Sequence, residues 1–341
     1  MWKKYSQSVT PVLRYAGFIL PAALTVMALA AGARAQSLSV EDLVSAVVRI
    51  KTSIDPEGRT VRNLGSERQG TGIVIAGDGL ILTIGYLMVE AHSAEVVAND
   101  GRTVPANVVG YDYETGFGLL RATEPLGVRP MALGKSADIK QGDKVLVAAA
   151  GGVDMIGAAH VAAKREFAGY WEYLLDEAIF TSPPHPAWSG AALIDREGAL
   201  VGIGSLIVGD ATGKGDNVIG NMFVPIDRLP PILAALVADG RVTGPAKPWL
   251  GLHTEEAAGQ LTVRRVVPDG PAEKAGIQPG DAIVSIGGET PKTLADFYRK
   301  IWAQGRAGVT VPLDVLRGGE RRRIELKSMN RLDHLKMNST F

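Results

Sequence analysis

Ser189 sits in the stretch His185-Pro186-Ala187-Trp188-Ser189-Gly190. The apolar runs Ala191-Ala192-Leu193 and Leu200-Val201-Gly202-Ile203-Gly204 follow it. A serine ahead of a glycine, in a turn between apolar runs, is a residue whose hydroxyl could act as a nucleophile. A hydroxyl at its free pKa is a weak one and needs a neighbouring base to take its proton. The chain has five histidines: His92, His160, His185, His253 and His334. His185 lies four residues before Ser189 with Pro186 between them. It has two readings, a partly exposed loop histidine or the base of a Ser189–His185 dyad. Lys164 has two as well, a solvated strand or loop lysine or the base of a Ser–Lys pair. The histidines share no ligand spacing with carboxylates, so no metal is expected, nor any other cofactor.

The elements that must carry this serine are read from composition and periodicity. The chain has 341 residues, enough for two domains with sizeable cores. With 41 glycines and only 6% aromatics, it suggests many turns between short strands. There is no cysteine, which excludes a disulfide framework, a cysteine nucleophile and thiolate metal sites. Lys3, Lys4 and Arg14 precede an apolar run over 16–31, and Ala33-Arg34-Ala35 supplies small residues at a cleavage point. Residues 1–35 therefore read as a cleaved signal peptide, which places the mature protein in the periplasm or outside the cell. The alternative is an anchor in the inner membrane, although the run is short for a span and contains Pro21. Cleavage removes four basic residues and leaves 32 basic against 36 acidic, a net charge of −4. With no basic block, nucleic acid is not an expected partner.

Ser39 and Asp42 have capping-box spacing and predict a short helix. A strand over 46–50 and a polar loop over 55–67 come next. Ile73-Val74-Ile75-Ala76 and Leu80-Ile81-Leu82-Thr83 flank Gly77-Asp78-Gly79 as a hairpin. Short strands over 94–98, 103–110, 118–122, 145–149, 157–163 and 178–181 bracket the approach to the serine turn. Asn221-Met222-Phe223-Val224-Pro225-Ile226 is a further strand, and Pro230-Pro231 opens a helix that Gly240 ends. Regularly spaced short strands predict a barrel or sandwich. Gly244-Pro245-Ala246-Lys247-Pro248 reads as a linker. Beyond it, Leu294, Phe297, Tyr298 and Ile301 share one helix face, and strands over 309–317 and 320–327 meet across Gly318-Gly319.

In this order the pieces resemble the HtrA/Deg family, a signal peptide followed by a trypsin-like double β-barrel and one PDZ domain. Gly70-Thr71-Gly72-Ile73-Val74-Ile75 with Asp78-Gly79 resembles that family's first-barrel hairpin. Phe223-Val224-Pro225-Ile226 resembles the strand closing its second barrel. Trp249-Leu250-Gly251-Leu252 and Gly276-Ile277-Gln278-Pro279-Gly280-Asp281 resemble its PDZ motifs. The implied fold is all-β, two six-stranded barrels over 36–244 and a PDZ domain of α+β type over 245–330, with a mobile tail over 331–341.

The same resemblance makes the site unusual. The family's hairpin runs into Thr-Asn-x-His, whose histidine is the general base; here Thr83-Ile84-Gly85-Tyr86 puts Tyr86 there. Thr115-Gly116-Phe117-Gly118 puts Gly116 at the family's aspartate. Ser189 keeps the nucleophile position. The oxyanion donors would be the amides of Ser189 and Ala187, where the family has glycine in place of Ala187. Pro183, Pro184 and Pro186 stiffen the approach, which is one residue shorter than in the family, and Trp188 adds bulk. Losing the base costs on the order of 10⁴- to 10⁶-fold in rate. The expectation is a pseudoprotease that binds peptides, unfolded proteins or protein C-termini through Trp249, Leu250, Gly251 and Leu252. Phe297 and Ile301 would line its side-chain pocket. The alternative is an active or slow serine endopeptidase that uses Ser189 with an atypical base. The resemblance also implies a trimer-based homo-oligomer, or a hetero-oligomer with an active relative.

Overall fold

The structure is a computed structural model that describes residues 39–337. The expected signal peptide lies outside them. The chain is mostly β. Ser39 caps the first helix, Val40–Ser45, by accepting the Asp42 amide while the Asp42 carboxylate accepts its own. Six strands follow: β1 Val47–Ile54, β2 Glu67–Val74, β3 Leu80–Ile84, β4 Ala91–Val97, β5 Thr103–Tyr111 and β6 Phe117–Ala122. They close a barrel in the order β1-β2-β3-β6-β5-β4. A second barrel is built from β7 Lys144–Ala148, β8 Ile156–Gly169, β9 Tyr173–Ser182, β10 Ala192–Ile194, β11 Leu200–Val208 and β12 Gly220–Pro225. It closes as β10-β11-β12-β9-β8-β7. Full closure leaves neither barrel with a free edge.

One apolar core is shared by both barrels. Val47, Ile73, Leu82 and Phe117 of the first are continuous with Phe180, Met222 and Val224 of the second. The helix Pro230–Asp239 adds a clamp from the second barrel onto β5. A Cβ on Gly110 would stand 2.6 Å from the Leu236 carbonyl oxygen, and the Tyr111 amide donates to the Gly240 carbonyl at 3.0 Å. Side chains projected from different barrels are thereby held in a fixed relation.

The third sheet, in the order β13-β14-β15-β16-β17, consists of Leu252–Ala257, Gln260–Val266, Ala282–Ile286, Thr310–Arg317 and Glu320–Lys327. The helix Leu294–Ala303 covers it and buries Leu294, Phe297, Tyr298 and Ile301, the face expected from the spacing. β13 is an edge strand of this sheet. Within the sheet, Arg317 at the end of β16 grips Asp281, just ahead of β15, through two hydrogen bonds of 2.6 Å, and the carboxylate is only 1% exposed. Burial, the largest single effect, pushes the Asp281 carboxyl up, but the Arg317 bonds, the Gln278 amide and the charges of Arg317 and Arg322 together hold it below the usual carboxylate range. Breaking a buried pair from one side strands the other charge, so Asp281→Ala is expected to cost on the order of 3 kcal/mol. For the native protein the stabilisation from this group is present above the ordinary carboxylate pKa, and it is lost as pH falls through the lower folded value. Urea titrations at pH 7 and at acid pH measure both effects.

Two stretches differ from expectation. The polar loop over 55–67 holds a short helix, Val61–Leu64, and its far end begins β2. The residues expected to begin a mobile tail are docked. Asn330 caps the helix Arg331–His334, the His334 ring lies 4.9 Å from Trp249, and the Lys336 amide donates to Glu90 at 2.7 Å. Residues 338–341 lie outside the described set.

Candidate functional site

The serine turn is built from backbone. Ala191 donates to the Trp188 carbonyl at 3.0 Å, Gly190 to Gly204 at 2.9 Å, and Gly204 back to Ala191 at 2.8 Å. Gly190 has φ +75°, a conformation glycine adopts without penalty. From the first barrel, the Thr71 amide donates to the Ser189 carbonyl at 2.9 Å. The turn therefore stands at the seam between the barrels.

Tyr86 approaches from the other side, in the 3-10 turn Gly85–Leu87 that follows β3. The Arg68 guanidinium donates to its carbonyl at 2.8 Å. Its phenol oxygen lies 2.8 Å from Ser189 Oγ and 2.9 Å from the Ser205 carbonyl oxygen. A phenol has one proton and a carbonyl only accepts. Both contacts hold together when Tyr86 donates to Ser205 and the Ser189 hydroxyl donates to Tyr86. Burial pushes the Tyr86 phenol up to about 12, and the opposing hydrogen bonds of Ser189 and Trp188 offset only part of that. The phenol is neutral at physiological pH, and a neutral phenol is not a base for a serine hydroxyl.

Gly116 comes to the same seam, accepting the Gly85 amide at 2.6 Å. It has φ +83°, and a Cβ there would stand 3.3 Å from the Tyr173 hydroxyl. The buried carboxylate four residues earlier, Asp112, accepts the amide and hydroxyl of Thr115 at 2.8 and 2.7 Å. It locks its own turn rather than orienting a group at residue 86.

The Ala187 amide, expected as an oxyanion donor, donates to His185 Nδ1 at 3.2 Å. His185 is held in place by Asn221, whose Oδ1 accepts its amide at 2.6 Å. Burial lowers the His185 pKa. The lone pair that a Ser189–His185 dyad would need is therefore occupied by Ala187. Lys164 is likewise committed, to the Ser136 carbonyl at 2.9 Å and Glu177 at 3.1 Å. The structure thus brings Ser189 and Tyr86 into hydrogen-bond contact, sets Gly116 beside Gly85 and Tyr173, and turns Ala187 and His185 toward each other.

At the second expected site, Trp249, Leu250, Gly251 and Leu252 form the loop that leads into β13. Phe297 and Ile301 are fully buried in the core of this sheet, so they serve packing rather than an open pocket. The amides of Leu250 and Leu252 donate to the Glu172 carboxylate, at 2.9 and 2.7 Å. Glu172 belongs to the β8–β9 turn of the second barrel and is 6% exposed. Burial pushes its carboxyl up to about 7, against the pull of the Leu250, Leu252 and Gly251 amides and of Arg331. The sequence reading missed Glu172, because an acidic residue in a hairpin turn carries no local signal of what it will meet.

Residues 70–203 match the family model of the trypsin-like peptidase domain, and residues 248–327 match that of the PDZ domain. Among curated relatives, the chain is 30% identical over 276 residues to a "Probable periplasmic serine endoprotease DegP-like" of Ectopseudomonas mendocina, covering 75% of this chain and 55% of that one. It is 31% identical over 288 residues to "Protease Do-like 1, chloroplastic" of Arabidopsis thaliana, covering 75% and 62%. The chain therefore spans little more than half the length of the first of these relatives. The fold is also that of the solved "HtrA-type protease AlgW with decapeptide", at a TM-score of 0.50 and 24% identity, with 86% of this chain and 99% of that one covered. With its trypsin-like peptidase domain followed by a PDZ domain, the chain belongs to the HtrA/Deg family.

Proposed function

We propose that this protein is a pseudoprotease of the HtrA/Deg family. In this reading it binds peptides or unfolded proteins through the PDZ domain and does not hydrolyse them. The observation that carries it is the 2.8 Å contact between Tyr86 and Ser189. A neutral phenol stands where catalysis needs a base, and it already holds the serine hydroxyl. The Ala187–His185 hydrogen bond and the glycine at residue 116 support the same reading. Such a protein would act as an adaptor, a chaperone-like holder or a regulator, as a trimer-based homo-oligomer or together with an active relative. The name of the Ectopseudomonas relative and the apolar N-terminal run favour the periplasm as its location.

The test uses purified protein, unfolded casein and a fluorophosphonate probe, with Ser189→Ala as control. The expected result is no labelling and no cleavage above the control from pH 6 to pH 9. Labelling that requires Ser189 would overturn the proposal in favour of a slow endopeptidase.

A further inference from the structure

The loop Trp249-Leu250-Gly251-Leu252, the edge strand β13 and the helix Leu294–Ala303 together make the groove in which a PDZ domain takes a chain terminus. Such a ligand adds to the sheet edge as a strand and lays its terminal carboxylate on the loop amides. The hairpin turn between β8 and β9 occupies each of these positions. The Glu172 carboxylate accepts the Leu250 and Leu252 amides. The Tyr170 carbonyl accepts the Thr254 amide of β13 at 2.9 Å. Tyr170 lies two residues before Glu172 and Thr254 two residues after Leu252, so the turn runs antiparallel to β13, in register with it.

The helix side is engaged as well. The Tyr298 hydroxyl donates to the Gly169 carbonyl at 2.7 Å and accepts the Glu172 amide at 3.2 Å. The Tyr170 ring lies 5.4 Å from that of His253 on β13. A chain terminus would offer its main-chain carboxylate. Glu172 offers its side chain instead, and with φ +57° it turns the backbone away from the groove into β9. Positive φ is uncommon for a glutamate and carries a strain that the docked contacts must offset.

We propose that the turn over 169–172 is an internal ligand of the PDZ groove, with Glu172 standing in for a terminal carboxylate. A partner with a free C-terminus then binds only by displacing it. This rests on the peptide-binding reading above and adds that the groove is closed at rest. Affinity for an external ligand is reduced by the fraction of molecules in which the groove is open.

The probe is a fluorescein-labelled hexapeptide, Phe-Ala-Gly-Tyr-Trp-Val, with a free C-terminus, compared with its C-terminal amide. It keeps the Tyr-Trp pair of the turn in the same register. The full chain, Glu172→Gln and Glu172→Ala are titrated by fluorescence anisotropy. The free acid is expected to bind both variants at least tenfold more tightly than the parent, and the amide is not. In the parent, saturating free acid is expected to raise amide hydrogen exchange over 169–175, which requires no variant to fold. Equal, tight binding to parent and variants, or binding that leaves 169–175 protected, overturns the internal ligand and leaves peptide binding standing. Binding to neither parent nor variants overturns both.

Discussion

A Tyr86→His variant is expected to remain without measurable peptidase activity, although it puts a histidine where the family resemblance places the general base. Two further conditions fail around it. Among the described residues no carboxylate is hydrogen-bonded to Tyr86, and the buried Asp112 is committed to Thr115, so nothing is placed to set the tautomer of a new imidazole. The absence of that orienting group costs on the order of 10⁴-fold in a serine protease. The Ala187 amide is engaged by His185, and losing one oxyanion donor costs about 10²- to 10³-fold. Adding Gly116→Asp is not expected to rescue the variant. Residue 116 has φ +83°, where a Cβ costs about 1–2 kcal/mol, and the Tyr173 hydroxyl stands 3.3 Å from that Cβ. Initial rates of fluorogenic casein cleavage, with fluorophosphonate labelling alongside, measure the single and double variants. Strong turnover by Tyr86→His alone would show that the Ala187–His185 loop rearranges on binding and frees the Ala187 amide.

The second large effect is on stability. Gly190→Ala is expected to cost more than about 4 kcal/mol, in the range where single substitutions unfold a domain. An added Cβ would lie 2.0 Å from the Thr71 carbonyl oxygen and 2.8 Å from Thr83 Oγ1, at φ +75°. The Thr71 carbonyl cannot retreat easily, because it accepts the Thr83 hydroxyl at 2.7 Å and its residue also donates to Ser189. Gly209→Ala is the control, since nothing lies within 4 Å of its added Cβ. Thermal unfolding followed by circular dichroism separates the two. An unchanged melting curve for Gly190→Ala would mean that the seam between the barrels yields to the added Cβ. This expectation also bears on function. The Ser-Gly pair is the most protease-like feature of the chain, yet close packing against Thr71 is enough to demand the glycine whether or not the serine reacts.

Elements with local causes were legible in the sequence. Gly77-Asp78-Gly79 between two apolar runs becomes the β2–β3 connection, the Ser39–Asp42 spacing becomes a capping box, and the face of Leu294, Phe297, Tyr298 and Ile301 becomes a core. Each follows from turn chemistry or periodicity within a dozen residues. The residue types at 86, 116 and 189 were legible too, and with them the lack of a histidine and an aspartate. Their consequences were not. The Tyr86–Ser189 contact joins residues 103 apart, and only closure of both barrels on a shared core brings the two hydroxyls to hydrogen-bond distance. His185 could be read as a possible base, but the fold spends its ring on Ala187. Glu172 and the docked segment after Asn330 carried no pattern at all, because a carboxylate or a short polar helix is compatible with solvent wherever tertiary structure offers nothing better. Residue types and their spacing set the strands and the turns, and put a tyrosine where the family resemblance places a base. Which polar groups meet, and so whether the serine and the PDZ groove stand open or engaged, was decided by packing between residues far apart in the chain.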